Sequence, residues 1–135
     1  MVTQIFVNLP VSDLKKSKDF FTKLGFSINE QFTDETAACV VISETIYAML
    51  LTHDKFKMFT PKGISDATKT TEVLTALSVN SKDEVNKLVD EALAAGGTEA
   101  RPTDDQGFMY GRAFNDPDGH IWEVFFMDMS QIPQA

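Results

Sequence analysis

Cysteine is almost missing from this chain: Cys39 is the only one among 135 residues. No disulfide can form within the chain, which points to a reducing compartment. Positive charge is also scarce, with 12 Lys and Arg against 20 Asp and Glu and a net charge of −8. That balance excludes a nucleic-acid backbone as partner, because phosphate binding needs a Lys/Arg footprint. It argues equally against an anionic membrane surface, though one local cation could still hold a small anion. No apolar run approaches the length that spans a bilayer. Met1-Val2-Thr3-Gln4 lacks the basic region and apolar core of a secretory signal. A cytoplasmic protein is expected. Also absent are a Ser/His/Asp arrangement, a phosphate-cradling glycine loop and a Cys/His cluster.

What is present is an ordinary globular composition, 43% hydrophobic and 24% charged. The length suits one domain, long enough to bury roughly two-thirds of its unfolded surface. The chain also repeats itself. Ile5-Phe6-Val7-Asn8-Leu9-Pro10-Val11 runs into a capped helical segment, and Val73-Leu74-Thr75-Ala76-Leu77-Ser78-Val79 does the same, with Leu9 matching Leu77 and Val11 matching Val79. Each following helix stops at glycine, Gly25 in one copy and Gly96-Gly97 in the other. Two copies at this spacing imply a duplicated half-domain, not a solenoid.

Periodicity gives each copy the order βαβββ. Ser12 or Asp13 can cap the first helix, whose inner stripe is Leu14, Ser17, Phe21 and Leu24. Phe26, Ile28 and Phe32 suggest a second strand. Ala37 to Ile42 and Ile46 to Leu51 suggest a hairpin. Ser81-Lys82-Asp83-Glu84 is a capping box that opens the second helix, with Val85, Leu88, Val89, Ala92 and Leu93 inward. A strand near Thr98 to Arg101, a polar loop over Pro102 to Gly107, and a hairpin of Met109 to Asn115 with His120 to Phe126 complete the second copy. The expected architecture is α+β, with two βαβββ modules whose curled sheets surround a shared cleft. Module one covers about 1–54, a linker about 55–71, module two about 72–127 and a tail 128–135. The open edges of curled sheets favour closure in a homodimer.

Strand alternation assigns the cleft. If Ile5, Val7 and Leu9 cover the first helix, Phe6 and Asn8 face the cleft. Leu74, Ala76 and Ser78 do so from the second copy. In the fourth strand Tyr47, Met49 and Leu51 are assigned to the helix, and Ala48, Leu50 and Thr52 to the cleft. In the last strand Ile121, Glu123 and Phe125 point inward. Glu123 stands alone as an acid among Ile, Trp, Val and Phe, so it should be paired, neutral or metal-bound. If Asp116 lies opposite Gly119, then Arg112 opposes Glu123 and the two form an ion pair in the cleft, with Tyr110 and Phe125 beside them. A different turn length would break that register.

Three motifs in order carry a resemblance: Val11-Ser12-Asp13-Leu14, then Phe20-Phe21 with Leu24-Gly25-Phe26, and Asp116-Pro117-Asp118-Gly119-His120 with Glu123. Together they resemble the vicinal oxygen chelate superfamily, which includes glyoxalase I, extradiol dioxygenases, fosfomycin-resistance enzymes and bleomycin-binding proteins. Within that group the chain most resembles lactoylglutathione lyase-like proteins. The resemblance implies four inward side chains that hold a divalent ion in metal-dependent members. Carried over by position they are Phe6, Leu50, Leu74 and Glu123, and Phe and Leu offer no lone pair. No metal and no other cofactor is therefore expected, and the resemblance implies a binder of a small molecule in an apolar cleft. The alternative is an enzyme, a lyase or isomerase that uses Glu123 as catalytic acid or base. A third possibility is an interaction protein whose cleft is filled by its own side chains.

Other residues have plainer expectations. Arg112 partners Glu123 or holds a ligand carboxylate or phosphate. His120 is a hairpin residue, and His53 ends a strand and is exposed. Cys39 is a small buried hydrophobe, or a cleft thiol if it lies opposite Leu50. Phe56, Met58 and Phe59 anchor the linker or form a lid, and Pro102 to Gly107 with Phe108 is a possible flap.

Overall fold

The computed structural model describes residues 1–131, so the last part of the expected tail, 132–135, lies outside the described residues. The chain forms two compact units, residues 1–66 and 67–135. Each contains a four-stranded mixed sheet with helices, an α+β architecture built twice from βαβββ.

In the first unit, β1 (Ile5–Val11), β2 (Ser27–Asn29), β3 (Ala37–Val41) and β4 (Ile46–Thr52) form a sheet in the order β1-β4-β3-β2. Helix α1 (Leu14–Lys23) begins where the Asp13 carboxylate accepts the Lys16 amide at 3.1 Å. It ends before Gly25, whose φ of +99° is the left-handed conformation that stops a helix. Ser17, Phe21 and Leu24 are buried as expected, and Phe20 joins them. The Phe20 and Phe21 rings meet edge to face at 5.1 Å, a geometry favoured by their quadrupoles.

The face assignment of β4 is corrected. β1 and β4 run parallel with Phe6 beside Tyr47, Asn8 beside Met49 and Leu9 beside Leu50. Neighbours in register share a face, and the Phe6 and Tyr47 rings stack at 4.6 Å. Ala48 and Leu50 therefore lie with Leu9 under α1, all buried. Tyr47, Met49 and Leu51 lie with Phe6 and Asn8 on the other face. The segment Ile46 to Leu51 is apolar on both faces, so polarity could not fix its phase, and only the pairing does. Cys39 accordingly opposes Met49, not Leu50. Phe32 leaves the sheet in a 3-10 turn, Glu30–Phe32, and is exposed.

The expected linker starts with structure of its own. His53, instead of ending β4, begins helix α2 (His53–Lys57), which the Thr52 hydroxyl caps by accepting the Lys55 amide at 3.3 Å. This helix packs on β1 and β4.

In the second unit, β5 (Leu74–Ser78), β6 (Thr98–Asp105), β7 (Met109–Asn115) and β8 (Ile121–Met127) pair in the order β5-β8-β7-β6. Helix α3 (Lys82–Ala94) begins at the expected capping box. Ser81 Oγ accepts the Glu84 amide at 3.1 Å, and Glu84 reaches back to the Asn80 amide at 2.7 Å. Val85, Val89 and Ala92 are its buried stripe. The expected polar loop is mostly strand, because β6 continues through Pro102 to Asp105. It can do so as an edge strand with two register shifts, where a missing amide proton costs no ladder bond. Among the described residues no helix is long and apolar enough to cross a membrane.

Candidate functional site

Glu123 pairs with Arg101, not with Arg112. The reason lies in the β7–β8 turn. Asp116 and His120 oppose each other, with the Asp116 amide bonded to the His120 carbonyl at 3.0 Å. Pro117, Asp118 and Gly119 thus form a three-residue loop, and Gly119 at φ +89° is the added left-handed residue. That extra position moves the register by one. Ala113 faces Glu123, and Arg112 faces Val124. Asp116 fixes the turn from within. Its carboxylate accepts the Asp118 and His120 amides at 3.0 Å each and the Trp122 indole N–H at 3.1 Å. Burial pushes the Asp116 carboxyl above its ordinary value, partly offset by the His120 charge and these donors.

A bulge at Ala100 then aims Arg101. Glu99 opposes Phe114, and Arg101 opposes Ala113, so two residues of β6 span one step of β7. Without the extra residue Arg101 would point to the α3 side. With it, Arg101, Ala113, Glu123 and Ala76 form one row across β6, β7, β8 and β5. Ala113 is small enough for the guanidinium to pass over it to the carboxylate. The side chains remain 42% and 21% exposed, so the pair is partly solvated.

Arg112 and Tyr110 sit on the opposite, α3-facing side. The Arg112 guanidinium donates to Asp90 Oδ1 at 2.8 Å and Asn86 Oδ1 at 3.1 Å, with Glu99 at 3.8 Å. Tyr110 donates its hydroxyl proton to Asn86 Oδ1 at 2.8 Å, and Lys82 lies 5.6 Å over its ring. Lys82, Asn86 and Asp90 recur every four residues, so one stripe of α3 serves both β7 residues. The Arg112 Nε is buried without a partner. Phe125 and Leu74 stay on the Glu123 face, with Phe125 beside Ser78 and Leu74 beside Ile121. Cys39 is buried and its thiol is pushed up by that burial, which leaves little nucleophilic thiolate.

The first unit offers a concavity of its own. A pocket of about 320 Å³ is lined by Asn8, Leu51, Phe56, Phe59 and Thr60. Asn8 and Leu51 come from the face of β1 and β4 that α1 does not cover, and Phe56 from α2. Asn8 was expected in a binding role from alternation. Leu51 was assigned to the helix and was missed because of the phase of β4. Phe56 and Phe59 were expected as linker anchors or lid residues, and a run of apolar residues inside a polar linker was the available signal.

The four positions at which a metal would be held by resemblance do not make a donor set. Phe6 and Leu74 have no lone pair, Leu50 lies under α1, and Glu123 is engaged by Arg101. By register the first-unit residue that corresponds to Glu123 is Met49, since Asn8–Met49 and Ala76–Glu123 are matching pairs of parallel strands. A thioether is a poor ligand for a hard divalent ion. Among the described residues no three of His, Cys, Asp and Glu come together in a group that could hold an ion.

Residues 3–124 match the family model of the glyoxalase/bleomycin resistance protein/dioxygenase superfamily. The chain belongs to this superfamily. A search of curated proteins found no match. Among solved structures, a hypothetical protein from S. aureus is 29% identical, with 93% of this chain and 94% of that one covered and a TM-score of 0.78. A glyoxalase-related enzyme from Fulvimarina pelagi is 23% identical, covering 91% and 87% at a TM-score of 0.77. A fosfomycin resistance protein from Mesorhizobium loti is 12% identical, covering 94% and 93% at a TM-score of 0.68. The last two share the fold of this superfamily member.

Proposed function

We propose that this glyoxalase-superfamily protein binds a small, largely apolar molecule without a metal ion. The observation that carries the reading is the pocket bounded by Asn8, Leu51, Phe56, Phe59 and Thr60. Its size is at the lower end of ligand sites, and its walls are mainly apolar with few polar groups, the usual composition of such sites. The donor-poor positions Phe6, Met49 and Leu74 support the metal-free part.

A lyase or isomerase reaction with Glu123 as proton shuttle is less well supported. The Glu123 carboxylate is already engaged by the Arg101 guanidinium, and that face of the second unit is floored by Ala76 and Ala113.

The test is thermal unfolding of chelator-treated protein across a metabolite panel. A ligand at a hundred times its Kd should add about 2.7 kcal/mol of stability. Phe56→Ala should abolish that gain. Stoichiometric metal that copurifies and is lost on Glu123→Gln would overturn the reading.

A further inference from the structure

We infer that the pocket of the first unit selects a neutral, planar aromatic molecule that carries one hydrogen-bond donor and one acceptor. This inference rests on the binding reading and adds the ligand class.

Size sets the first limit. About 320 Å³ admits on the order of ten non-hydrogen atoms, at roughly 30 Å³ for each water-sized volume. Shape follows from the walls. Phe56 and Phe59 are two aromatic rings supplied by α2 and the segment after it, and Leu51 is the aliphatic wall. Phe59 is 69% exposed. A flat aromatic ligand would cover it, and aromatic pairs gain beyond their buried area.

Charge sets the next limit. None of the five lining side chains is ionisable. Lys55 is not one of the lining residues, and its ammonium lies 5.8 Å over the Phe59 ring. An anion or a cation would therefore lose hydration in the pocket without a lining countercharge.

The polar pattern completes the assignment. The Asn8 amide N–H₂ donates to the Phe6 carbonyl at 3.3 Å, which leaves its Oδ1 as an acceptor. Thr60 Oγ1 accepts the Lys62 amide at 3.1 Å, which leaves its hydroxyl proton as a donor. Among the described residues neither has another partner. A ligand N–H or O–H would satisfy the Asn8 Oδ1, and a ligand acceptor would satisfy the Thr60 hydroxyl proton.

Calorimetric titration with three probes tests this. Carbostyril is a neutral bicyclic lactam with both groups, quinoline keeps only an acceptor, and quinaldate adds a carboxylate. Carbostyril should bind roughly three- to tenfold more tightly than quinoline, the contribution of one hydrogen bond. Asn8→Leu should remove that difference and leave quinoline unchanged. Phe59→Ala, at an exposed position that folding tolerates, should weaken both by about tenfold. Quinaldate as the tightest probe would overturn the neutral class while the metal-free binding reading stands. A carbostyril preference that persists in Asn8→Leu would overturn the polar assignment. Failure of all three probes would overturn this inference, and the metabolite panel would judge metal-free binding separately.

Discussion

Arg101 and Arg112 lie on opposite faces of the second sheet, although both belong to strands next to one another. Arg101 meets Glu123, and Arg112 meets Asp90 and Asn86. The bulge at Ala100 and the three-residue loop before His120 set those faces.

The two arginines should therefore separate in double-mutant cycles with Glu123, read by urea unfolding. Arg101→Ala with Glu123→Gln should show a coupling of about 0.5–1 kcal/mol, modest because both side chains are partly solvated. Arg112→Ala with Glu123→Gln should be additive within about 0.5 kcal/mol. Arg112→Ala alone should cost about 1–3 kcal/mol, from lost packing of its stem and from its hydrogen bonds. The reverse pattern of coupling would show that the register is wrong.

Gly119 and Gly25 both have positive φ, +89° and +99°. Only Gly119 is also crowded, because a Cβ there would lie 2.9 Å from the Ala67 carbonyl oxygen. Gly25→Ala should cost about 1 kcal/mol from backbone strain alone. Gly119→Ala should cost at least about 1 kcal/mol more, since backbone must move. Equal melting-temperature losses would refute the contact.

Asp34 should give the protein an acid-side loss of stability. Its carboxylate accepts the Thr36 amide at 2.7 Å, the Thr36 hydroxyl at 2.8 Å and the Ala37 amide at 3.1 Å, which hold it below its ordinary 3.8. A depressed folded value means the contribution is present above the unfolded value and is lost as pH falls through the folded one. Asp34→Ala should be less stable than wild type at neutral pH, and the gap should narrow below about pH 4. A gap constant with pH would rule this out. Asp116 has the opposite sign. Its raised value makes its contribution largest in acid and smaller as pH rises through the folded value.

Trp122 is the only tryptophan, so its fluorescence reports on Asp116 directly. Asp116→Asn would set an amide N–H₂ against the Trp122 N–H, where the carboxylate now accepts at 3.1 Å. A loss of about 2–3 kcal/mol is expected, from an unsatisfied buried donor. Emission should also shift as the indole loses its partner. Unchanged emission and stability would show that the contact is dispensable.

Much of the fold was legible because local chemistry specified it. Asp13, the Ser81–Glu84 box, Gly25 and Gly96 mark helix ends by satisfying or releasing particular amides, which needs no distant partner. The β5 and β8 faces were legible for a similar reason. Glu123 and Ser78 supply polar marks that fix the phase of alternation. The strand β4 carries a clear polar mark only at its last residue, Thr52, which caps α2 instead of marking a face of the sheet, so alternation alone exchanges Leu50 and Leu51. The partner of Glu123 was illegible for two small reasons. One glycine adds a residue to a turn, and one extra residue in β6 makes a bulge.

The sequence by itself determined that there are two βαβββ modules, where their helices start and stop, and that one acid lies in an apolar strand. Capping, periodicity and polarity are encoded in neighbouring residues. Only the tertiary structure decided which basic residue meets that acid, and which side chains of β4 and of the segment after it line a pocket. Both depend on strand register, where one residue more or less turns every following side chain to the other face.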